Sequence, residues 1–500
     1  MNNKPHSIAT MDATPSAMLK LLVPKVPFML KTALWHTIGQ SETSSKWDLR
    51  TELTINMLRD MIGPNSEPSP ISKIQGLTTR DPGIKGNVWV SKVKLDVPEE
   101  DDVRQLLFKA IEDMGSGEEQ WTKPESRPLE AEWNGYRAEA VDPKAPQPAD
   151  RDEKQEYANM MKEVTSKVTV LYFHGGAMYL LDPATYRPTT SRLAQETGGR
   201  VFNVRYRLAP SNPFPAALLD CFTAYLSLLY PPPGAPHDPV PANEIVFAGD
   251  SAGGTCCTAL LQLLLQLHRS NPDPSQAPRV KFHGRDVAIP LPAGLALTSP
   301  WLDITRGLPS IEDLAKYDYL PPPSQTDKRE FPPCDMWPSN PPRADLYCEA
   351  SALLHPLVSP LAAGDWRGAP PLFFSVGQEM LRDEDAVLAR RAAVQGVRVV
   401  WREFETMPHC FAMLVPNNNG AAVHHAEMGR FCKEVVQGTE MQTHGEVIAA
   451  KSLDRSTVDV QRGLTELTDA QVEEYMRKGR ERIEAKFRRG QDPAAERPMP

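Results

Sequence analysis

From about Lys167 onward the chain repeats one pattern: a short apolar run rich in β-branched residues, a glycine-bearing turn, then a stretch with helical periodicity. The runs are Val168 to Phe173, Arg200 to Val204, Glu244 to Ala248, Gly294 to Thr298, Pro371 to Val376 and Val397 to Phe404. They are short and nearly continuous in apolar character, which is how strands buried on both faces read. Strand alternating with helix predicts an α/β fold with a mostly parallel central sheet flanked by helices. Before residue 163 the grammar differs. Helical patterns over Leu49 to Ile62 and Val103 to Met114 alternate with polar, proline-bearing linkers, and strand-like runs are few. Three regions follow: an N-terminal helical cap region over 1–163, the α/β domain over 164–438, and a polar extension over 439–500. A Pro-rich stretch at about 303–353 is too long for an ordinary connection and reads as a cap insertion. The extension ends in a charged segment, Asp469 to Arg488, whose acids and bases three and four apart predict a solvated helix.

Composition narrows the function classes. Hydrophobic residues at 41% and charged residues at 24% are those of a globular protein. A net charge of −9 without a basic block excludes a nucleic-acid partner. The seven cysteines lack CxxC spacing, so no metal site is expected, and reduced thiols fit a cytoplasmic location. Lys20, Pro24, Lys25, Pro27 and Lys31 break the apolar stretch Leu19 to Trp35, which therefore predicts neither a signal peptide nor a spanning helix. It reads as an amphipathic segment packed on the main domain, with a membrane surface as the alternative, so peripheral membrane contact stays open.

The chemistry concentrates in Gly249-Asp250-Ser251-Ala252-Gly253, which follows the strand run and precedes the helical run Thr255 to Leu267. Strand, sharp turn and helix is the setting in which a GxSxG serine becomes an exposed nucleophile. The small residues flanking it let strand and helix approach, and the Ala252 amide at the helix start aims at a developing oxyanion. A serine needs a base and the base needs an acid, both on loops after later strands. Among the later histidines only His409 follows closely on a late strand, so it is the candidate base; His424 and His425 sit in the helical run Ala421 to Val436 as surface or packing residues. Glu379, nearest the end of the run Pro371 to Val376, is the candidate acid. Asp383 is the alternative, although its place suits a helix N-cap. His174-Gly175-Gly176, directly after the first strand run, offers the Gly175 and Gly176 amides as further oxyanion donors, with His174 shaping the loop.

These motifs resemble those of the hormone-sensitive-lipase-like branch of the α/β hydrolases. The likeness runs from about 165 to 438 and includes Tyr206-Arg207-Leu208-Ala209-Pro210, Pro213-Phe214-Pro215-Ala216-Ala217, Ser299-Pro300-Trp301-Leu302-Asp303 and His355-Pro356-Leu357-Val358-Ser359-Pro360. The N-terminal region is similar to that of filamentous-fungal members. The resemblance implies a serine carboxylic-ester hydrolase (esterase or lipase type) without cofactor, working through an acyl-enzyme on a small to medium hydrophobic ester. It also implies a pocket under a cap made of N-terminal helices and the insertion. Two positions depart from the family: Glu379 stands where aspartate is usual, and Ala177 where a third glycine commonly follows. An amidase, lactonase or acyltransferase would use the same triad. A non-catalytic binder, as in the plant gibberellin receptor that resembles this family, would lack the histidine that this chain retains.

Overall fold

A computed structural model describes residues 23–63, 66–138, 151–327 and 329–490. The polar N-terminus and the first part of the stretch from Leu19 lie outside the described residues. Twelve strands are described: β1 (Val88–Leu95), β2 (Leu129–Tyr136), β3 (Thr169–Phe173), β4 (Arg200–Val204), β5 (Ile245–Ser251), β6 (Arg279–Phe282), β7 (Arg285–Ala288), β8 (Gly294–Pro300), β9 (Leu372–Gly377), β10 (Val399–Phe404), β11 (His444–Ile448) and β12 (Arg455–Val458). Ten form one sheet in the order β1-β2-β4-β3-β5-β8-β9-β10-β11-β12, while β6 and β7 make a separate hairpin. Every pairing from β4 through β3, β5, β8, β9 and β10 to β11 is parallel. The pairs β1–β2, β2–β4 and β11–β12 are antiparallel.

The inner strands are mostly apolar because both faces are covered, and alternate side chains feed different cores. In β3, Leu171 and Phe173 join the larger cluster, whereas Val170 and Tyr172 join the smaller one on the opposite face. The helices are α1 (Val26–Thr37), α2 (Leu49–Ile62), α3 (Ile71–Thr78), α4 (Asp102–Met114), α5 (Glu153–Glu163), α6 (Pro183–Thr197), α7 (Ala216–Leu229) and α8 (Ala252–Ser270), then α9 (Arg382–Val394), α10 (Asn419–Gln437) and α11 (Asp469–Gly490), with several single turns between. Leu260, Leu261 and Leu264 of α8 and Val387 and Leu388 of α9 pack on the larger core. Leu193 of α6 and Phe431 of α10 pack on the smaller.

Residue 163 is not a structural boundary, because β1 and β2 of the N-terminal region extend the main sheet. Glu132 in β2 is fully buried, and Arg187 of α6 neutralises it through bonds of 2.6 and 2.8 Å while also pairing with Asp81 at 2.6 Å. Buried charge of this kind is tolerated only when it is paired and hydrogen-bonded. The C-terminal extension is likewise part of the fold. It supplies β11 and β12, and α11 lies against the insertion: a Cβ on Gly479 would come within 2.6 Å of Thr305 Oγ1, and Arg482 donates to the Thr305 carbonyl at 2.7 Å. One stripe of this charged helix, Val472, Met476 and Gly479, is buried, so it is not simply a solvated helix. The insertion itself is mostly irregular, with short helical turns such as Ser310–Asp313 and Pro323–Thr326.

Candidate active site

Ser251 ends β5 and begins α8 with φ 51 and ψ −121, a conformation seldom adopted by a residue with a side chain. The surroundings demand the glycines at either side. A Cβ on Gly253 would fall 1.9 Å from the Phe173 carbonyl oxygen, and one on Gly249 would fall 2.6 Å from Gly253. Strand β3, the turn and α8 therefore meet backbone to backbone, and the serine projects half-buried from the crest.

Asp250 lies one residue earlier, buried, and collects three donors. Its Oδ1 accepts from Tyr172 Oη at 2.8 Å and from Gly175 N–H at 3.2 Å, and its Oδ2 accepts from Tyr186 Oη at 2.8 Å. Burial pushes this carboxyl up to about 6 despite those donors. Gly175 N–H also faces Tyr186 Oη at 3.0 Å. This corrects the expectation for Gly175: its amide is committed to Asp250 and Tyr186 and is not free to serve an oxyanion. The amides of Gly176, Ala177 and Ala252 have no protein hydrogen bond among the described residues. Gly176 and Ala177 take positive φ values of 105 and 51, which turns this loop over the elbow. His174 shapes it, with Nδ1 2.7 Å from the Gly175 carbonyl and Tyr206 stacked on its ring at 4.4 Å; burial lowers the ring to about 4.

Glu379 and His409 come together. Glu379 Oε1 is 3.3 Å from His409 Nδ1, and Oε2 accepts from Leu381 N–H at 2.7 Å, with both side chains buried. The two loops meet through their backbones, since a Cβ on Gly377 would fall 2.2 Å from the Met407 carbonyl oxygen. The N-terminal region pins the histidine loop as well, because Trp47 Nε1 donates to the Thr406 carbonyl at 2.8 Å. Burial opposes charge on His409, but Cys410, Glu379 and Tyr319 around it outweigh that and hold the imidazole well above the ordinary histidine range. Asp383 is elsewhere: its Oδ2 accepts from Ser310 N–H at 2.9 Å, in the insertion.

Ser251 Oγ makes no hydrogen bond to His409 in this arrangement. His409 Nε2 instead meets Cys410 Sγ at 3.4 Å, and that sulfur lies 3.9 Å from Asp250 Oδ2. The histidine loop is thus seated beside the elbow through the residue next to each candidate. Cys410 N–H reaches Ser299 Oγ at 3.4 Å, on the strand where Pro300 pairs with Ser251.

Sequence reasoning missed Asp318 and Tyr319 of the insertion. Asp318 is buried, accepts from Met380 N–H at 3.2 Å, and is pushed up to about 7 by burial and by Glu379 beside it. Tyr319 stacks obliquely on His409 at 6.2 Å. Nothing in the spacing of the insertion marks either residue. His424 and His425 are buried packing residues of α10, and His424 Nδ1 lies 2.7 Å from Ser375 Oγ. No group of His, Cys, Asp and Glu among the described residues could hold a metal ion.

Comparison with known proteins identifies the fold and the family. A family model described as alpha/beta hydrolase fold matches residues 170–413. Over 243 residues the chain is 32% identical to an acetyl-hydrolase of Streptomyces hygroscopicus, covering 48% of this chain and 67% of that protein. Mouse hormone-sensitive lipase is 36% identical over 95 residues, 18% of this chain and 12% of that protein. A crystal structure described as a hormone-sensitive lipase from a metagenome library shares the fold with a TM-score of 0.51 at 24% identity, covering 78% of this chain and 99% of the other. The chain belongs to the α/β hydrolases.

Proposed function

We propose that this carboxylic-ester hydrolase acts through an acyl-enzyme, with Ser251 as nucleophile, His409 as base and Glu379 as the acid that orients it, on a small to medium hydrophobic ester. The observation that carries the reading is the approach of Glu379 to His409, on a loop seated beside the strained elbow that bears Ser251. Ser251 Oγ attacks the ester carbonyl carbon while His409 Nε2 takes its proton; the tetrahedral intermediate then expels the alcohol, which receives that proton. Water, deprotonated by the same imidazole, attacks the acyl carbon, and the acid leaves as the proton returns to Ser251. Hydrogen bonds of a catalytic set tighten in the substrate complex, so the approach of Oγ to Nε2 belongs to that state. The amides of Gly176, Ala177 and Ala252 receive the oxyanion, replacing Gly175 in that role; removing one such donor costs on the order of a hundredfold in rate.

The test is Ser251→Ala with p-nitrophenyl acetate and butyrate. Turnover is expected to fall to background, and a fluorophosphonate probe is expected to label wild type at Ser251 and leave the variant unlabelled. Retained turnover in the variant removes Ser251 from the mechanism, and wild type that neither turns over nor takes the label is a binder on this fold.

A further inference from the structure

Helix α1 buries none of its residues. Val23, Val26, Leu30, Leu34 and Ile38 are 55, 43, 66, 58 and 57% exposed, and their spacing of three and four places them on one face. Trp35 and Lys31, both exposed, border that face. An apolar stripe of this length left open to water marks a surface that is covered in use. The opposite side of α1 is anchored on α2 by the ion pair Lys25–Asp60 and the hydrogen bond between His36 Nδ1 and Glu52 Oε2, so the stripe points away from the body of the protein.

Charge identifies the cover. The chain carries a net charge of −9, yet residues 13–41 contain no acid and include Lys20, Lys25 and Lys31. Lys31 has no ionic partner among the described residues. An apolar face edged by Lys31 and Trp35 within an acid-free segment complements an anionic lipid surface: the acyl region accepts the aliphatic side chains, Trp35 suits the interface, and Lys31 meets headgroups. The position fits a lipid-borne substrate. Arg59 of α2 donates to the carbonyls of Lys316 and Asp318, and Asp318 accepts from Met380 N–H beside Glu379. The helical hairpin therefore rests on the stretch of insertion that abuts the candidate acid.

We infer that the exposed face of α1 docks this protein on anionic membrane surfaces and presents the site to esters dissolved in them. The substrate half of this inference rests on the proposed function, whereas the docking half stands independently. The full chain is sedimented with vesicles of phosphatidylcholine and phosphatidylserine and, separately, of phosphatidylcholine alone. Wild type is expected to favour the mixed vesicles and to lose affinity in high salt. The double variant Leu30→Glu, Leu34→Glu is expected to bind at least about tenfold more weakly, and Lys31→Glu several-fold more weakly. Turnover of a water-soluble p-nitrophenyl ester is expected to stay unchanged in both variants, which also certifies folding. Wild type that ignores both vesicles, or a leucine variant that binds as wild type does, overturns the inference. So does sedimentation velocity in which wild type is a dimer and the leucine variant a monomer, because a second copy then covers the face. Vesicle binding without any ester hydrolysis leaves docking intact and removes the proposed function; hydrolysis without docking does the reverse.

Discussion

At the residue scale, Glu379 and Asp383 lie four positions apart and take different partners, one against His409 Nδ1 and the other against Ser310 N–H. Glu379→Gln keeps the shape but removes the charge that holds the imidazole in its working tautomer, so turnover of p-nitrophenyl butyrate is expected to fall by about three to four orders of magnitude with KM little changed. Asp383→Asn is expected to stay within about threefold of wild type, since it weakens a hydrogen bond to the insertion and a long ion pair with Arg382 without touching His409. The reverse ranking in steady-state kinetics would transfer the acid role to Asp383. Asp250 is a positioning residue of a different kind, tying Gly175 and both tyrosines to the elbow. Its carboxyl is raised from 3.8 to about 6, so between those values the folded protein keeps a proton that the unfolded chain has released. Stability from this group is thus present below about 4 and lost as pH rises through about 6, an order of 3 kcal/mol in all. Asp250→Asn cannot titrate. Its stability relative to wild type, followed by urea unfolding, is expected to improve from pH 4 to pH 7, while its turnover drops at least about tenfold because the oxyanion loop loses a charged anchor. A stability difference that stays flat with pH would mean that Asp250 is not the titrating carboxyl.

At the scale of elements, the cap is held by few but specific bonds. Arg59 of α2 reaches two carbonyls of the insertion, with Nε donating to Asp318 at 2.6 Å, and the same stretch places Tyr319 beside His409. Arg59→Ala is expected to cost about 1–3 kcal/mol of stability and to raise KM several-fold with a smaller change in kcat, because the guanidinium latch shapes the site without touching the reacting atoms. An unchanged KM would separate the latch from the site. This contrast also explains what could be read from sequence. The parallel strands β3, β4, β5, β8, β9 and β10 were legible because burial on both faces writes itself as a continuous apolar run. So were the positions of Ser251, Glu379 and His409, the residues of the proposed triad, at or shortly after the ends of β5, β9 and β10. Strand β2 was not, since Glu130, Glu132 and Asn134 look like solvent-facing residues until Arg187, distant in sequence, neutralises Glu132. Asp318 was not legible either, as its burial and its neighbour Glu379 are tertiary facts with no local pattern. Gly175 was misassigned because a bare Gly-Gly pair does not say which amide the adjoining aspartate will claim.

At the scale of the whole molecule, the chain closes on itself from both ends. The N-terminal region contributes two strands to one edge of the sheet and pins the histidine loop through Trp47, while the C-terminal region covers the other edge with β11 and β12. The register of β10 against β11, from Val400 opposite His444 to Phe404 opposite Ile448, leaves β10 with hydrogen-bonded neighbours on both sides. Removing residues 439–500 would expose the backbone edge of β10 with its buried Val400, Trp401 and Phe404, a ready template for aggregation. It would also free the insertion where Arg482 and Lys486 of α11 bond the carbonyls of Thr305 and Arg329. A chain ending at residue 438 retains the whole candidate triad and every motif of the hydrolase domain, so a modular extension would predict an active protein. The integrated sheet predicts the opposite: the truncated chain should be recovered mainly as aggregate, and any soluble fraction should melt at least about 3 °C below the full chain, since the unfolding entropy of a protein of this size converts several kcal/mol into several degrees. A soluble truncated protein with full turnover and an unshifted melting temperature would return residues 439–500 to the status of an appendage.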